Sequence, residues 1–205
     1  MNKKKGLFIT FEGPEASGKS SQILLLQKYL KKNKISFTTT REPGGTKLAE
    51  SLRNLILKIK SDINIEEEIL MLMAARSHHI NNVIKPALAK GDLVISDRFA
   101  DSTFVYQGYV NNFGIQKVKK LHKNILNNFL PHKTFLFNLS TSKIIRRLKN
   151  RKTKNKYDKL EKNFHDKVNK GYDLISKNKR FIKIDASKSI QDINRKIINN
   201  INLLI

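Results

Sequence analysis

Apolar positions along this chain follow two patterns that alternate from one end to the other. Short, nearly continuous apolar runs are typical of buried strands, and they predict strands within residues 7–13, 35–45, 92–99, 133–140 and 180–187. Longer stretches with a helical spacing of apolar residues predict helices at residues 20–33, 47–59, 66–91 and 189–204. Strands that alternate with helices imply βαβ units and therefore a parallel sheet.

The chain has 205 residues, of which 39% are hydrophobic, and this is enough for one sizeable domain. Because neither an internal repeat nor a linker rich in proline and serine interrupts the pattern, we predict one domain over residues 1–205. Its predicted fold is α/β, with a parallel five-stranded sheet flanked by helices. The absence of cysteine excludes a disulfide framework and a thiolate metal site.

No apolar run approaches the roughly 20 residues of a membrane span. The apolar run that follows the basic start leads straight into a glycine bend, without the cleavage site of a signal peptide. We therefore expect a cytoplasmic protein with no membrane partner.

Net charge is the most unusual bulk property of the chain, at +24. A strong positive charge indicates an anionic partner, and nucleic acid is one candidate. The lysines, however, are scattered among asparagine and isoleucine over the whole length, which raises the charge everywhere without forming a groove. We therefore expect no specific nucleic acid, and only the densest basic segment, residues 146–159, needs a separate explanation.

A glycine-rich bend joins the first predicted strand to the first predicted helix. Its sequence, GPEASGKS over residues 13–20, fits the P-loop pattern G-x-x-x-x-G-K-[ST] in the required strand-bend-helix context. Such a loop directs backbone N–H groups at a phosphate, with the helix N-terminus behind them. We therefore predict a P-loop NTPase-type fold with a nucleotide site. The predicted ATP-binding residues are Gly13, Pro14, Glu15, Ala16, Ser17, Gly18, Lys19, Ser20 and Ser21.

Two further motifs directly follow predicted strands. TREPGG spans residues 40–45, and DRFADSTFVYQG spans residues 97–108. Open parallel sheets bind ligands beyond the carboxyl ends of their strands. One arginine alone would be more typical of a surface ion pair, but Arg41 and Arg98 both fall at the sheet edge that carries the P-loop.

The succession of P-loop, TREPGG, AAR at residues 74–76, DRF with STFVYQG, a basic segment and IDA at residues 184–186 closely resembles the thymidylate kinases. These are the dTMP kinases among the nucleoside monophosphate kinases. The resemblance covers nearly the whole chain, and TREPGG with DRF…YQG is far more specific than the P-loop. It implies Mg²⁺-dependent transfer of the γ-phosphoryl group of ATP to the 5′-phosphate of dTMP, which gives dTDP for dTTP synthesis.

The resemblance also implies roles for residues at the phosphates. Lys19 would contact the ATP phosphates, and Mg²⁺ would lie on Ser20 with Asp97 nearby, directly or through water. Arg98 would hold the acceptor phosphate and bridge towards the donor. Arg41 would be a second contact of the monophosphate.

Other residues match family positions at the sugar and the base of dTMP. Glu15 would meet the sugar 3′-hydroxyl, Tyr106 would crowd out a ribose 2′-hydroxyl, and Arg76 would donate to the thymine O4. The remaining matches at the base are Ser102, Thr103 and Gln107, although the first two could equally cap a helix.

One position departs from the family pattern. Relatives usually have a phenylalanine four residues before the AAR arginine, stacked on thymine, and here that position is Leu72. Leucine still covers the ring by dispersion but loses offset stacking, which contributes about 0.5–1.5 kcal/mol. Phe99 is the candidate that would compensate for this loss.

The basic segment resembles the lid that closes over ATP in the family. One class of relatives carries an arginine inside the P-loop, where this chain has the uncharged Ala16 and Ser17. The charge on the transferring phosphoryl group would then be stabilised from a lid at about residues 147–160, through Arg147 and Arg151. A solvated basic face and a nucleic-acid arm are the alternatives for this segment.

Two other functions remain open at the level of the sequence. One is a kinase for another nucleoside monophosphate on the same scaffold, and the other is a basic ATPase stimulated by nucleic acid. The family resemblance also implies a homodimer.

Overall fold

The computed structural model describes residues 6–58, 63–149 and 161–205. At its centre is a five-stranded sheet in which all neighbouring strands are parallel. The strands are β1 (Leu7–Glu12), β2 (Phe37–Arg41), β3 (Leu93–Asp97), β4 (Lys133–Asn138) and β5 (Phe181–Asp185). Their spatial order is β2-β3-β1-β4-β5, and the predicted α/β fold with a parallel five-stranded sheet is confirmed.

Helices cover both faces of the sheet. They are α1 (Lys19–Lys32), α2 (Lys47–Lys58), α3 (Ile65–His79), α4 (Lys85–Ala89), α5 (Ala100–Thr103), α6 (Ile115–Leu126), α7 (Thr141–Lys149), α8 (Lys162–Ile175) and α9 (Ile190–Asn202). Among the helices of the described ranges, none has the length and apolar character needed to cross a membrane.

The strands supply side chains to two apolar cores, one on each side of the sheet. Phe8 and Val94 pack with residues of α3, α6 and α8, whereas Ile9 and Ile95 pack with residues of α1, α7 and α9. This alternation follows from the two-residue period of a strand. Because both faces are covered, the polar edge formed by the strand ends is the part of the sheet open to a ligand.

The bounds of the elements differ somewhat from the predicted ranges, and two of these differences have a clear physical cause. The helix predicted at residues 66–91 contains a π-helical turn at Ile80–Ile84, directly before α4. Pro86 has no N–H and its ring collides with the carbonyl four residues earlier, so the regular hydrogen-bond ladder cannot continue there. The third strand ends at Asp97 rather than residue 99, because Arg98 adopts a left-handed backbone conformation with a φ of 69°.

Candidate active site

The P-loop leads from the end of β1 into α1, and its backbone needs glycine at two positions. Gly13 has a φ of 136°, and a Cβ there would lie 2.5 Å from the carbonyl oxygen of Phe137 in β4. Gly18, directly before α1, has a φ of 91°. Side chains disfavour both conformations, so glycine allows the chain to reverse and start α1 beside the strand it has just left. This places the N-terminus of α1 at the ligand edge of the sheet.

The Lys19 ammonium lies within the loop. It donates hydrogen bonds to the carbonyl oxygens of Gly13 (3.0 Å) and Pro14 (2.8 Å) and to the hydroxyl of Ser17 (3.2 Å). Burial, together with the nearby charge of Arg98, lowers the pKa of Lys19 to about 8. At pH 7 the group is therefore still mostly cationic and can attract a phosphate.

Ser20 and Asp97 lie side by side although they are far apart in sequence. The Ser20 hydroxyl donates to Asp97 Oδ2 over 2.7 Å, and both residues line the same cavity. A hydroxyl and a carboxylate at the mouth of a P-loop are hard oxygen ligands of the kind that Mg²⁺ prefers. The two predicted metal-binding residues therefore fit a magnesium ion.

Arg98 is held in an uncommon geometry at the end of β3. Its Nη2 donates to Glu15 over 2.9 Å, and its Nη1 donates to the hydroxyls of Ser102 (3.0 Å) and Tyr172 (3.1 Å). The guanidinium also lies 5.2 Å from the centre of the Tyr106 ring. The side chain is 19% exposed, so it is enclosed but still reaches the cavity.

Glu15 connects the P-loop to the π-helical segment Phe104–Val110, which follows α5. The Tyr106 hydroxyl lies 2.7 Å and 2.8 Å from the two carboxylate oxygens of Glu15. Burial alone would raise the pKa of Glu15, but the charges of Arg98 and Lys19 and the hydrogen bond from Tyr106 outweigh it, and the pKa lies below its ordinary value. Glu15 is therefore a carboxylate that can accept a hydrogen bond from a ligand.

Arg76 enters the cavity from α3 and is almost fully buried. Its Nε donates to Glu42 over 2.7 Å, and its Nη2 donates to the Thr103 hydroxyl over 2.7 Å. Glu42 also lies 2.8 Å from Nδ1 of the buried His79. The third nitrogen, Nη1, has no hydrogen-bond partner within the described part of the chain. A buried donor without a partner is costly, so Nη1 is a strong candidate to bind a ligand oxygen.

One cavity of about 620 Å³ brings the predicted site residues together. This volume is in the range of pockets for small molecules. The predicted residues that line it are Glu15, Ala16, Ser17, Gly18, Lys19, Ser20, Ser21, Arg41, Leu72, Arg76, Asp97, Arg98, Phe99, Ser102, Thr103, Tyr106, Gln107 and Arg147. Gly13 and Pro14 belong to the same loop, but they do not line this cavity.

Several predicted base-binding residues are close to one another. Leu72 is 6% exposed at the cavity wall, and Phe99 lies 5.2 Å under the Arg76 guanidinium while its ring is part of the core. Gln107 donates from Nε2 to Glu68 over 2.7 Å, and both residues line the cavity.

Ser102 and Thr103 do not cap a helix, so this alternative is wrong. They lie inside α5, which begins at Ala100 and has no side-chain cap. The Ser102 hydroxyl donates to Glu12 over 2.6 Å, and the Thr103 hydroxyl accepts from Arg76. In both cases the hydroxyl supports a charged side chain of the site, and a direct contact with the base stays a prediction.

Arg41 and Arg147 occupy the edges of the cavity. Arg41 pairs with Glu50 over 2.9 Å, and its side chain is 57% exposed. Arg147 donates to the carbonyl oxygens of Ala16 (3.1 Å) and Ala186 (3.0 Å), and so joins the P-loop to the turn after β5. Arg151 and the rest of the predicted lid from residue 150 to residue 160 fall outside the described residues.

Several residues of the site, Glu68 among them, were not predicted from the sequence. Glu42 and Arg53 line the cavity, whereas Glu12 and Tyr172 lie behind Arg98. Glu12 and Glu42 did give a signal in the sequence. Glu12 ends a strand that is otherwise mostly apolar, and Glu42 lies within TREPGG. A carboxylate buried at such a position needs partners. Arg53 and Tyr172 lie on amphipathic helices, where their pattern is that of ordinary surface or core residues.

A parallel sheet with a P-loop after its central strand, and with arginines from several elements in one cavity, defines a P-loop protein of the nucleotide kinase type. The family model described as Thymidylate kinase matches residues 11–197 of the chain. The chain therefore belongs to the thymidylate kinase family, as its motifs predicted.

Curated relatives agree with this family over nearly their whole length. A thymidylate kinase of Mycoplasma capricolum is 42% identical over 197 residues, which cover 94% of this chain and 92% of the relative. A thymidylate kinase of Orientia tsutsugamushi is 40% identical over 205 residues, covering 96% and 93%. A thymidylate kinase of Halothermothrix orenii is 38% identical over 200 residues, covering 96% and 97%.

Proposed function

We propose that this protein is a dTMP kinase, a phosphotransferase that moves the γ-phosphoryl group of ATP to the 5′-phosphate of dTMP and releases dTDP and ADP. The family and the names of the relatives support this reaction. The observation that carries it is one cavity lined by Lys19 of the P-loop, by Arg98 and by Arg76, whose Nη1 has no hydrogen-bond partner among the described residues.

The donor end of the cavity binds ATP through the P-loop. Backbone N–H groups at the N-terminus of α1 and the Lys19 ammonium neutralise the phosphates. Ser20 and Asp97 would hold Mg²⁺, which supplies positive charge to the β- and γ-phosphate oxygens. Lys19 would exchange its hydrogen bonds to the loop carbonyls of Gly13 and Pro14 for bonds to a phosphate.

The acceptor end binds the phosphate of dTMP through arginines. Arg98 lies between the P-loop and α5, so its guanidinium can contact the acceptor phosphate and the transferring group together. Arg41 and Arg53 add positive charge at the rim. Two polyanions must meet in line, and catalysis is therefore mainly positioning and charge neutralisation.

Replacing Arg53 by alanine is expected to raise the KM for dTMP by about 2- to 5-fold. This range corresponds to the loss of a partly exposed charge interaction of roughly 0.5–1 kcal/mol with the acceptor phosphate. Arg53 is half-buried, and its Nη1 donates to the Pro43 carbonyl over 2.8 Å, so the charge is already directed into the site. Initial rates at varied dTMP test this expectation. The matched control is Arg195→Ala on α9, whose side chain is 72% exposed, and equal KM values in both variants would contradict it.

Sugar and base selection depend on other residues that line the cavity. Glu15 accepts the sugar 3′-hydroxyl, and Tyr106 beside it leaves no room for a ribose 2′-hydroxyl. Nη1 of Arg76 donates to the O4 carbonyl of thymine. CMP presents an amino group there, and a lost hydrogen bond to a charged group costs about 1.5–3 kcal/mol, or roughly 10- to 150-fold.

Replacing Leu72 by phenylalanine is expected to leave dTMP binding equal or to tighten it by up to about tenfold, because the ring adds offset stacking on the base. Titration calorimetry with dTMP measures this effect. Leu70→Phe is the matched control, since Leu70 lies on the same helix and is 58% exposed. A clear loss of dTMP affinity in Leu72→Phe alone would show that the base lies elsewhere.

A panel of monophosphates tests the proposed function directly. With ATP and Mg²⁺, we expect the highest kcat/KM for dTMP, a lower value for dUMP, and poor turnover of CMP and AMP. A preference for another monophosphate would overturn the assignment to dTMP. ATP hydrolysis that rises with DNA or RNA, with binding that falls steeply with salt, would instead support the nucleic-acid-stimulated ATPase.

Other features of the proposed enzyme stay predictions. They are the homodimer, the cytoplasmic location, one kinase domain over residues 1–205, and a lid whose Arg147 and Arg151 stabilise the transferring phosphoryl group. The position of Arg147 between the P-loop and the turn after β5 supports its place at the ATP end.

A further inference from the structure

The backbone of Arg98 is fixed in a conformation that few residues with side chains adopt. Its φ of 69° lies in the left-handed region, which is uncommon for residues other than glycine and persists only where the surroundings enforce it. Its N–H donates to the Phe11 carbonyl over 3.0 Å, and its carbonyl accepts from the Ser96 hydroxyl over 2.7 Å. These bonds set the point from which the side chain projects.

Tyr172 of α8 determines where the guanidinium then points. Its hydroxyl accepts a hydrogen bond from Arg98 Nη1 over 3.1 Å and donates one to Glu12 Oε2 over 2.9 Å. Because the hydroxyl proton is used on Glu12, the oxygen acts as an acceptor for Arg98, and the Ser102 hydroxyl also lies 3.0 Å from it. Glu15 accepts a hydrogen bond from the other terminal nitrogen, Nη2, so both terminal nitrogens of the guanidinium are hydrogen-bonded.

Glu12 is the anchor of this arrangement. It is the last residue of β1, directly before the P-loop, and is 0% exposed. Its Oε1 accepts from the N–H groups of Phe99 (2.7 Å) and Ser102 (3.3 Å), and its Oε2 accepts from the hydroxyls of Ser102 (2.6 Å) and Tyr172 (2.9 Å). Burial, with the charge of Asp101, raises the pKa of Glu12 to about 7 against the opposing effects of Arg98 and these hydrogen bonds.

We propose that Tyr172 is a positioning residue that acts through Arg98, with its hydroxyl oriented by Glu12. Tyr172 does not line the 620 Å³ cavity proposed to hold the substrates, and it would set the direction of the guanidinium that binds the acceptor phosphate. The inference rests on the proposed function, because it assigns Arg98 to that phosphate. Displacing a catalytic group by about 1 Å can cost roughly 100-fold in rate, and one hydroxyl is therefore sufficient to matter.

Tyr172→Phe removes only the hydroxyl and keeps the ring, which is part of the core. The centroid of this ring lies 6.5 Å from that of Tyr106, in an edge-on arrangement. We expect kcat/KM for dTMP to fall by about 10- to 100-fold, with the KM for ATP changed less than twofold. Tyr29→Phe is the matched control, since the Tyr29 hydroxyl bonds to Asn202 on the outer helices. Equal values of kcat/KM for dTMP in wild type and Tyr172→Phe would overturn the proposal. A KM for ATP that rises by the same factor as kcat/KM for dTMP falls would also overturn it.

A double-mutant cycle with Arg98→Ala separates positioning from a general structural role. If Tyr172 acts through Arg98, Tyr172→Phe has little further effect on dTMP turnover or binding once the guanidinium is gone. Additive losses would overturn the proposal. If Tyr172→Phe strongly lowers the thermal unfolding midpoint, Glu12→Gln serves as a second test. It must show the same selective loss of kcat/KM for dTMP, and an unchanged value would overturn the proposal that Glu12 orients Tyr172.

The two levels of inference fail in different ways. If wild-type protein does not phosphorylate dTMP, the proposed function is wrong, whatever the variants do. If wild type is active and the cycle is additive, the function stands and the positioning role of Tyr172 is wrong.

Discussion

Replacing Arg98 by alanine is expected to lower kcat for dTMP phosphorylation by about 10³-fold or more, the scale of an arginine that stabilises a transferring phosphoryl group. Arg98 lines the cavity together with Lys19, and its guanidinium is held by Glu15, Ser102 and Tyr172 in a fixed direction. Because these hydrogen bonds fix the guanidinium, its removal takes away both charge and positioning. Steady-state kinetics with dTMP measure the effect.

Two controls make the Arg98 result specific. Arg98→Lys keeps the charge but loses the planar fork that matches phosphate, so we expect it to recover only a small part of the lost rate. Arg195→Ala removes an exposed arginine of α9 and should leave the rate unchanged. Turnover of Arg98→Ala within tenfold of wild type, in a protein with an unchanged unfolding midpoint, would show that another group neutralises the transferring phosphoryl.

Replacing Arg76 by lysine is expected to lower kcat/KM for dTMP by about 10- to 150-fold, because the proposed hydrogen bond from Nη1 to the base would be lost. The kcat/KM for dCMP should change little, because cytosine has an amino group rather than a carbonyl at C4. The ratio of kcat/KM for dTMP to that for dCMP should therefore fall. Competition between the two monophosphates in one assay measures this ratio directly.

Lysine is chosen at position 76 because of Glu42. The Glu42 carboxylate is 3% exposed and pairs with Arg76, and removing one partner of a buried pair costs about 3–5 kcal/mol. Alanine would therefore confuse loss of recognition with loss of stability, whereas lysine keeps a positive charge near Glu42. Arg195→Lys is the matched control, and an unchanged ratio of dTMP to dCMP turnover in Arg76→Lys would exclude Arg76 as the base donor.

The P-loop illustrates how far local sequence can go. Gly13 and Gly18 identify a backbone turn that other residues disfavour, and Lys19 and Ser20 follow at fixed spacing, so the motif specifies its own geometry. The rule that strand ends share one edge then predicted that Arg98 would lie near Lys19. Both line the same cavity, so this prediction is confirmed.

The support of Arg98 and Arg76 could not be predicted in the same way. Tyr172 is separated from Glu12 by 160 residues, and its position on α8 resembles that of an ordinary core residue. Glu42 reaches Arg76 over 34 residues and a change of element. No local spacing encodes such contacts, because they depend on how α8 and α3 pack against the sheet.

Sequence by itself determined the strands and most of the helices, the phosphate-binding loop, the family and most of the residues that line the cavity. These features depend on period, on backbone conformation and on spacing within a few residues, all of which are written in the linear order. Tertiary structure alone decided which nitrogens of Arg76 have hydrogen-bond partners within the described ranges and which hydroxyls bind Arg98. Hydrogen-bond partners inside a core are chosen by distances between separate elements, and those distances exist only once the chain has packed.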